Sequence, residues 1–138
     1  MTREEALAFA RRWTELWSNK DVSTVAALFA ENVRFTSPKA LATVGTPTVV
    51  GREALAAYWN AAIAKVGRMR FDLRDIAWDP EARTLVIDYV ATIGEHRHHA
   101  CERMHFDAQG LIGVAEALYG VPASLESSGA GTGDRPTA

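Results

Sequence analysis

The sequence predicts an α+β protein with a helical first half and an antiparallel β-meander in its second half. Three segments, 84–93, 97–106 and 111–120, are rich in β-branched and aromatic residues, which favour strands. Short turn sequences containing Gly94 and Gly110 separate them. Near the N-terminus, apolar residues instead recur at helical spacing. These three observations place helices before a sheet of long strands.

Three helices are expected in the first half of the chain. Thr2 followed by Glu5 has the form of a capping box, and an apolar stripe follows it. Asp21 can cap a second helix, which we expect to end near Asn32. Residues 52–66 carry a third apolar stripe at helical spacing.

Shorter strands are expected between and after these helices. Residues 33–37 alternate as a strand that ends before Pro38, and 48–50 predict another. The segment 39–47 is expected to be a loop. Along 68–78 the apolar alternation changes phase, which predicts a β-bulge near Arg74.

The strand registers follow from the loop lengths. A two-residue loop between the first two long strands puts Glu102 opposite Ile87. A four-residue loop before the third puts Glu102 opposite Ala115 and His98 opposite Tyr119. Because side chains alternate between the faces of a sheet, Glu102 shares its face with small residues. These are Ala91, Ala100, Gly113, Ala115 and Ala117.

These small residues predict a pocket around Glu102, because small side chains leave volume that larger ones would fill in a close-packed interior. No Arg or Lys lies on its face of the meander, so burial should raise its pKa, as often happens at functional sites. We expect Glu102 to act with His98 and Tyr119 as candidate catalytic residues. The alternatives are a structural carboxyl held by a backbone or tryptophan donor, and a solvated His98 at the rim. The expected ligand-binding residues are Trp13, Phe35, Ser37, Tyr58, Trp59, Tyr89 and Met104.

Composition argues against several other classes of function. The net charge of −2 gives no reason to expect nucleic acid or membrane binding. A single cysteine fits a reducing compartment, and with no signal-peptide pattern we expect a cytoplasmic protein. The histidines at 96, 98, 99 and 105 do not converge with Glu102 on one point, so we expect no metal and no other cofactor.

The other face of the meander predicts a homodimer. Its apolar side chains have no further element to cover them, and such patches mark interfaces. They are Val86, Val90, Ile112, Val114 and Leu118. We expect a single domain over residues 1–122 and a flexible tail over 123–138, which is rich in Gly, Ser, Thr and Pro.

The order of elements, together with three short motifs, resembles the nuclear transport factor 2-like superfamily, in its SnoaL-like and ketosteroid isomerase-like branch. The motifs are Ala27-Leu-Phe-Ala-Glu-Asn-Val33, Val50-Gly-Arg-Glu-Ala-Leu55 and Phe106-Asp-Ala-Gln-Gly-Leu-Ile112. The resemblance implies a cone, in which a strongly curved antiparallel sheet wraps around three helices and encloses a pocket.

Comparison with the ketosteroid isomerases limits the implied chemistry. Their pocket acid corresponds to Glu102, but their general-base aspartate corresponds to Ser37, and their two tyrosines correspond to Trp13 and Trp59. Steroid isomerisation by their mechanism is therefore not expected. We expect a pocket protein for a small apolar or polycyclic metabolite, acting by acid–base chemistry as an isomerase, cyclase or hydratase. The alternative is a non-catalytic ligand-binding or dimerising module of the same fold.

Overall fold

The computed structural model describes residues 1–124. The helices are α1 (Arg3–Ser18), α2 (Val22–Ala26), α3 (Pro38–Val44) and α4 (Arg52–Ile63). The strands are β1 (Phe29–Thr36), β2 (Thr48–Val50), β3 (Met69–Asp79), β4 (Thr84–Ile93), β5 (His96–Phe106) and β6 (Ile112–Pro122).

The strands form one curved, open sheet in the order β2-β1-β6-β5-β4-β3. This arrangement, with its helices in the first half of the chain, confirms the predicted α+β class. One neighbouring pair differs from the antiparallel expectation, since β1 runs parallel to β6. The last strand returns beside the first long strand, so β1 joins the meander at the far side of β6.

The predicted registers hold for β4 and β5 but not for β6. Glu102 lies opposite Ile87, and the β3 bulge falls between Leu73 and Asp75 as expected. On the other side Glu102 lies opposite Ala117 rather than Ala115. Phe106 pairs with Ile112 instead of Leu111, which shifts β6 by one residue, and the irregularity between His105 and Phe106 shifts it by one more. A shift of two keeps each side chain on its predicted face, because the strand repeat is also two.

The first half contains two further corrections. The second helix ends at Ala26 instead of near Asn32, and β1 already begins at Phe29. Phe29 is fully buried, with its ring centre 5.2 Å from that of Trp59, so core packing favours the strand there. Residues expected as a loop form α3, whose start is favoured by Pro38 at the first turn.

An aromatic cluster joins the helices to the sheet. Trp13 of α1 packs edge-on against Tyr89 of β4, with ring centres 5.2 Å apart. Trp17 meets Trp59 of α4 in the same way at 4.9 Å. Edge-to-face pairs add to the stability that burial of the rings provides. The two longest helices are thereby fixed over the sheet face that carries Glu102.

The outer face of the sheet exposes fewer of its apolar side chains than we expected from the sequence. Val90 and Ile112 are buried within the chain, while Val114 and Leu118 remain 51% and 42% exposed. The expected tail at 123–138 lies almost entirely outside the described residues, although Ala123 itself is buried. Within residues 1–124, no helix is long and apolar enough to span a membrane.

Candidate functional site

A cavity of about 300 Å³ lies between the helices and the inner face of the sheet. Most of its wall is aromatic or aliphatic, and its few polar groups come from α3 with its N-cap, from the segment after α4 and from β5. Its aromatic lining consists of Trp13, Trp17, Phe35, Tyr58, Trp59, Phe71, Tyr89 and Tyr119. Its other polar or charged side chains are Ser37, Lys39, Thr43, Lys65 and Glu102.

Glu102 is the one acidic residue in this lining. Its side chain is buried, at 4% exposure, between Ile87 on β4 and Ala117 on β6. In the part of the chain that the structure describes, Glu102 forms no hydrogen bond and no ion pair. Burial raises the pKa of this carboxyl group to about 8. At neutral pH Glu102 is therefore mostly a neutral carboxylic acid that can donate a proton.

Three phenol groups line the cavity together with this carboxyl group. Burial raises the pKa of Tyr58, Tyr89 and Tyr119, and the charge of Glu102 raises each of them further. Hydrogen bonding to Ser37 opposes the rise in pKa at Tyr58 and Tyr119. The phenols therefore remain protonated near neutral pH, where they can donate or accept hydrogen bonds but do not act as bases.

Ser37 connects the site to the start of α3. It is the N-cap of that helix, and its Oγ accepts a hydrogen bond from the Lys39 backbone N–H at 3.2 Å. It is also one of the cavity-lining residues. Ser37 therefore has a structural role as a cap and faces the phenol groups, but its hydroxyl is not a proton-accepting base at neutral pH.

Two buried indole groups lack hydrogen-bond partners. The Nε1 atoms of Trp13 and Trp17 are inaccessible to solvent and form no hydrogen bond within residues 1–124. Both rings line the cavity. An unpaired buried N–H group costs free energy, and such groups in native proteins usually have an explanation. A ligand oxygen in the cavity would provide an acceptor only after one of these rings turned its N–H group toward the cavity.

A second cavity of about 530 Å³ adjoins the first. Lys39, Ile93 and Tyr119 line both cavities. The remaining wall of the second cavity, which we call the outer cavity, is formed by Ala91, His96 and His98. The Lys39 Nζ atom lies 4.4 Å from the centre of the Tyr119 ring, and its partial burial lowers the pKa of this amine.

The first cavity, which we call the inner cavity, brings together most of the residues expected from the sequence. Trp13, Phe35, Ser37, Tyr58, Trp59, Tyr89, Glu102 and Tyr119 all line it. Met104 does not, because it is completely buried in the hydrophobic core. His98 lies in the outer cavity, and it is Ala100, not His98, that pairs with Tyr119.

The sequence reasoning missed Lys39, Lys65, Trp17 and Phe71. Lys39 was missed because its segment was expected to be a loop. The signal was present, since Ser37 followed by Pro38 is a typical helix start. Within the described range, no group of three His, Cys, Asp or Glu side chains is placed to hold a metal ion.

The sequence model of the SnoaL-like domain family matches residues 10–114. The chain belongs to the SnoaL-like domain family. The match includes the second half of α1, together with β1, α4 and β5, and therefore most of the cavity lining. The suspected relationship to the SnoaL-like branch is confirmed. A comparison with curated proteins gave no match.

Solved structures similar to this SnoaL-like chain share its fold. A SnoaL-like protein of unknown function from Burkholderia thailandensis has 22% identity and a TM-score of 0.78, covering 87% of this chain and 98% of its own. The epoxide hydrolase/cyclase-like enzyme SalBIII, which acts in pyran ring formation in the polyether salinomycin, has 14% identity, a TM-score of 0.67 and coverage of 86% and 93%. A proposed ketosteroid isomerase from Kribbella flavida has 16% identity, a TM-score of 0.67 and coverage of 98% and 84%.

Proposed function

We propose that this SnoaL-like protein binds a small, largely apolar metabolite in the inner cavity and rearranges it by acid–base chemistry of the isomerase or cyclase type. Glu102 is the group that transfers the proton. The observation that carries the proposal is an unpaired carboxyl group, buried in the wall of an apolar cavity, whose pKa is raised to about 8. Such a group is mostly protonated at neutral pH and still ionises readily.

One group of this kind is sufficient for a rearrangement that needs no net proton. In an intramolecular ring closure, the Glu102 carboxyl group donates its proton to a substrate oxygen, such as that of an epoxide, as the carbon–oxygen bond breaks. A hydroxyl group of the same substrate attacks the carbon and forms the new bond. The proton of that hydroxyl group then returns to the Glu102 carboxylate. Substrate and product have the same composition, and the protein ends in its starting state.

The remaining polar groups of the cavity suit binding and orientation. Tyr58 and Tyr119 keep their protons and can donate hydrogen bonds to substrate oxygens. If their rings turn toward a bound ligand, the unpaired N–H groups of Trp13 and Trp17 provide two further donors. The largely aromatic and aliphatic wall lowers the local dielectric constant, which strengthens each of these interactions.

The comparisons support this proposal at the level of the fold. Structural neighbours include one enzyme described as epoxide hydrolase/cyclase-like and one proposed isomerase. At 14% and 16% identity the likeness concerns the fold, so the assignment of chemistry here rests on Glu102.

A second candidate function is ligand binding without catalysis. The observation that favours it is Ser37, which lies where the resemblance to ketosteroid isomerases would place a general-base aspartate. A serine hydroxyl at this position caps α3 and does not take up a proton. In this alternative Glu102 orients a bound ligand by hydrogen bonding alone.

A rearrangement assay with Glu102→Gln separates the two candidates. The protein is incubated with a panel of hydroxy-epoxides and β,γ-unsaturated ketones, and chromatography detects products of unchanged mass. We expect the wild type to convert at least one compound, and Glu102→Gln to lower that rate by about 100-fold or more. Glu95→Gln, which removes an exposed carboxylate from the β4–β5 turn, is the matched control and should retain the activity.

The outcomes of this assay are distinct. Conversion that is unaffected by Glu102→Gln contradicts the catalytic role of this residue. Compounds that bind to both proteins without conversion by either favour the binding module. Far-ultraviolet circular dichroism of each variant establishes that the fold is retained.

A further inference from the structure

We propose that the inner and outer cavities form one elongated site for an amphiphilic ligand. The anionic group of this ligand, a carboxylate or phosphate, is held in the outer cavity by Lys39, His96 and His98. This inference rests on the proposed function, because the inner cavity holds the apolar, reacting part of the same ligand. The inference adds the class of substrate to the proposed function: an apolar molecule that carries a carboxylate or phosphate group.

The charges that line the two cavities are the first observation. Two amine side chains, Lys39 and Lys65, and two imidazole side chains, His96 and His98, line them. The single acidic side chain in the two linings is Glu102, which burial keeps mostly uncharged at neutral pH. Cavities lined by one sign of charge between low-dielectric walls attract ligands of the other sign. The lining therefore favours an anion.

The basic groups at the outer cavity also lack acidic partners. Within residues 1–124, none of Lys39, His96 and His98 forms an ion pair with a carboxylate. The Lys39 ammonium group instead contacts the Tyr119 ring, and the His96 and His98 rings are neighbours, with centres 6.3 Å apart and planes tilted by 38°. Glu95 is adjacent in sequence to His96, but it lies in the exposed turn and does not line either cavity. A ligand anion would supply the partner that these groups lack.

The geometry of β5 sets the length of the ligand. Every second side chain of this strand lies on the same face, and one face carries Glu102, Ala100, His98 and His96. His98 precedes Glu102 by four positions along the strand, which corresponds to a distance of about 13 Å. Lys39, Ile93 and Tyr119 belong to both linings, so the two cavities are neighbours with a common wall. A ligand that reaches Glu102 with its apolar end can place an acidic group roughly 13 Å away beside His98.

A matched pair of fluorescent probes tests this inference. The first probe is ε-(dansylamino)hexanoic acid, which has a naphthalene body and a carboxylate at the end of a flexible chain. The second probe is its methyl ester, which has the same body without the charge. Binding of each is measured at neutral pH by dansyl fluorescence. We expect the wild type to bind the acid about tenfold more tightly than the ester, because hydrogen bonds to charged groups are strong.

Variants locate the source of this preference. The triple variant Lys39→Gln, His96→Asn, His98→Asn should lose the preference and bind the acid and the ester with equal affinity. Arg97→Gln removes a positive charge from the same strand at an exposed position outside both linings, and it should retain the preference. Equal binding of the two probes by the wild type would overturn the inference. A preference for the acid that persists in the triple variant would also overturn it.

One further variant distinguishes failure of this inference from failure of the proposed function. Ala62→Leu narrows the inner cavity from a half-buried position on α4. We expect it to weaken binding of both probes by a similar factor. If ester binding is unchanged in Ala62→Leu, the naphthalene body does not occupy the inner cavity, and the proposed function fails. If Ala62→Leu weakens binding of both probes but the wild type does not prefer the acid, the inner cavity does bind the naphthalene body and the proposed anion site is excluded.

Discussion

Ala117 lies directly opposite Glu102 in the β5–β6 ladder, and both residues line the inner cavity. The alanine methyl group is too short to fill the space beside the carboxyl group and cannot neutralise it. On the other side Glu102 pairs with Ile87, which is also apolar and fully buried. Glu102 thus has apolar neighbours on both adjacent strands, which is why burial dominates its pKa.

The raised pKa of Glu102 predicts a loss of stability as the pH increases. A carboxyl group with a pKa of 4.5 unfolded and about 8 folded binds its proton more tightly in the folded state. Its contribution is fully present below the unfolded pKa and is lost as the pH rises through the folded pKa. At about 1.4 kcal/mol per pKa unit, the loss is up to about 5 kcal/mol.

Urea unfolding of the wild type and of Glu102→Gln between about pH 5 and about pH 9 measures this effect. The free energy of unfolding of the wild type should fall relative to that of the variant across this range. Glu95→Gln, as the exposed control, should follow the wild type. A constant difference between wild type and Glu102→Gln would show that the carboxyl group titrates in its ordinary range.

Ser37→Asp should retain the cap of α3 while adding a second carboxyl group to the cavity. Aspartate is as good an N-cap as serine, so the helix keeps its start, whereas Ser37→Ala should cost about 1 kcal/mol. Because two carboxylates in one apolar site disfavour each other, the Glu102 pKa should rise further in Ser37→Asp. Carbon-13 NMR of the labelled Glu102 carboxyl group would follow this shift. A Glu102 titration unchanged from the wild type would show that the two side chains do not interact.

The meander was predictable from the sequence because its signals are local. Strand alternation and the two-residue turn fix the pairing of β4 with β5, and hence the face that carries Glu102. The pairing with β6 was wrong by two residues, because the loop has five residues instead of four and the ladder is irregular between His105 and Phe106, and both depend on how that turn packs. A register error of two residues leaves each side chain on the same face of the sheet. The prediction that Glu102 shares its face with small residues therefore does not depend on this error.

The first half of the chain was harder to predict because tertiary contacts decide its elements. Phe29 follows a helix and could extend its apolar stripe, but it packs against Trp59 as the first residue of β1. The position of Lys39 beside Tyr119 depends on α3, which is only 7 residues long. Short helices are marginal by propensity alone, so their existence rests on packing that one sequence does not reveal.

The homodimer expected from the outer sheet face remains a prediction with a narrower basis. Val114 and Leu118 are exposed there, whereas Val90 and Ile112 are already covered by the chain itself. Sedimentation equilibrium at micromolar concentration should give twice the monomer mass. Leu118→Glu should give the monomer mass without a change in the circular dichroism spectrum. A wild-type protein that sediments as a monomer would contradict the prediction.

The unpaired indole N–H of Trp13 predicts a specific loss of affinity for ligands that carry an oxygen acceptor. Trp13→Phe removes this donor and retains an aromatic ring in the cavity wall. Its effect on the free energy of unfolding should be small, because removal of an unsatisfied buried donor offsets part of the lost packing. Trp78→Phe is the matched control, since the Trp78 Nε1 already donates to the Met1 carbonyl oxygen at 3.0 Å.

The effect of Trp13→Phe is measured on the binding of two ligands, acetonaphthone and ethylnaphthalene. They have nearly the same shape, but only the ketone has a hydrogen-bond acceptor. Trp13→Phe should raise the Kd for acetonaphthone by about fivefold to tenfold relative to the wild type, as expected for a lost hydrogen bond in a dry site. The Kd for ethylnaphthalene should change much less, because its contacts are apolar. Trp78→Phe should leave both values near those of the wild type. An equal loss for the two ligands in Trp13→Phe would mean that ring volume, and not the N–H group, accounts for the effect.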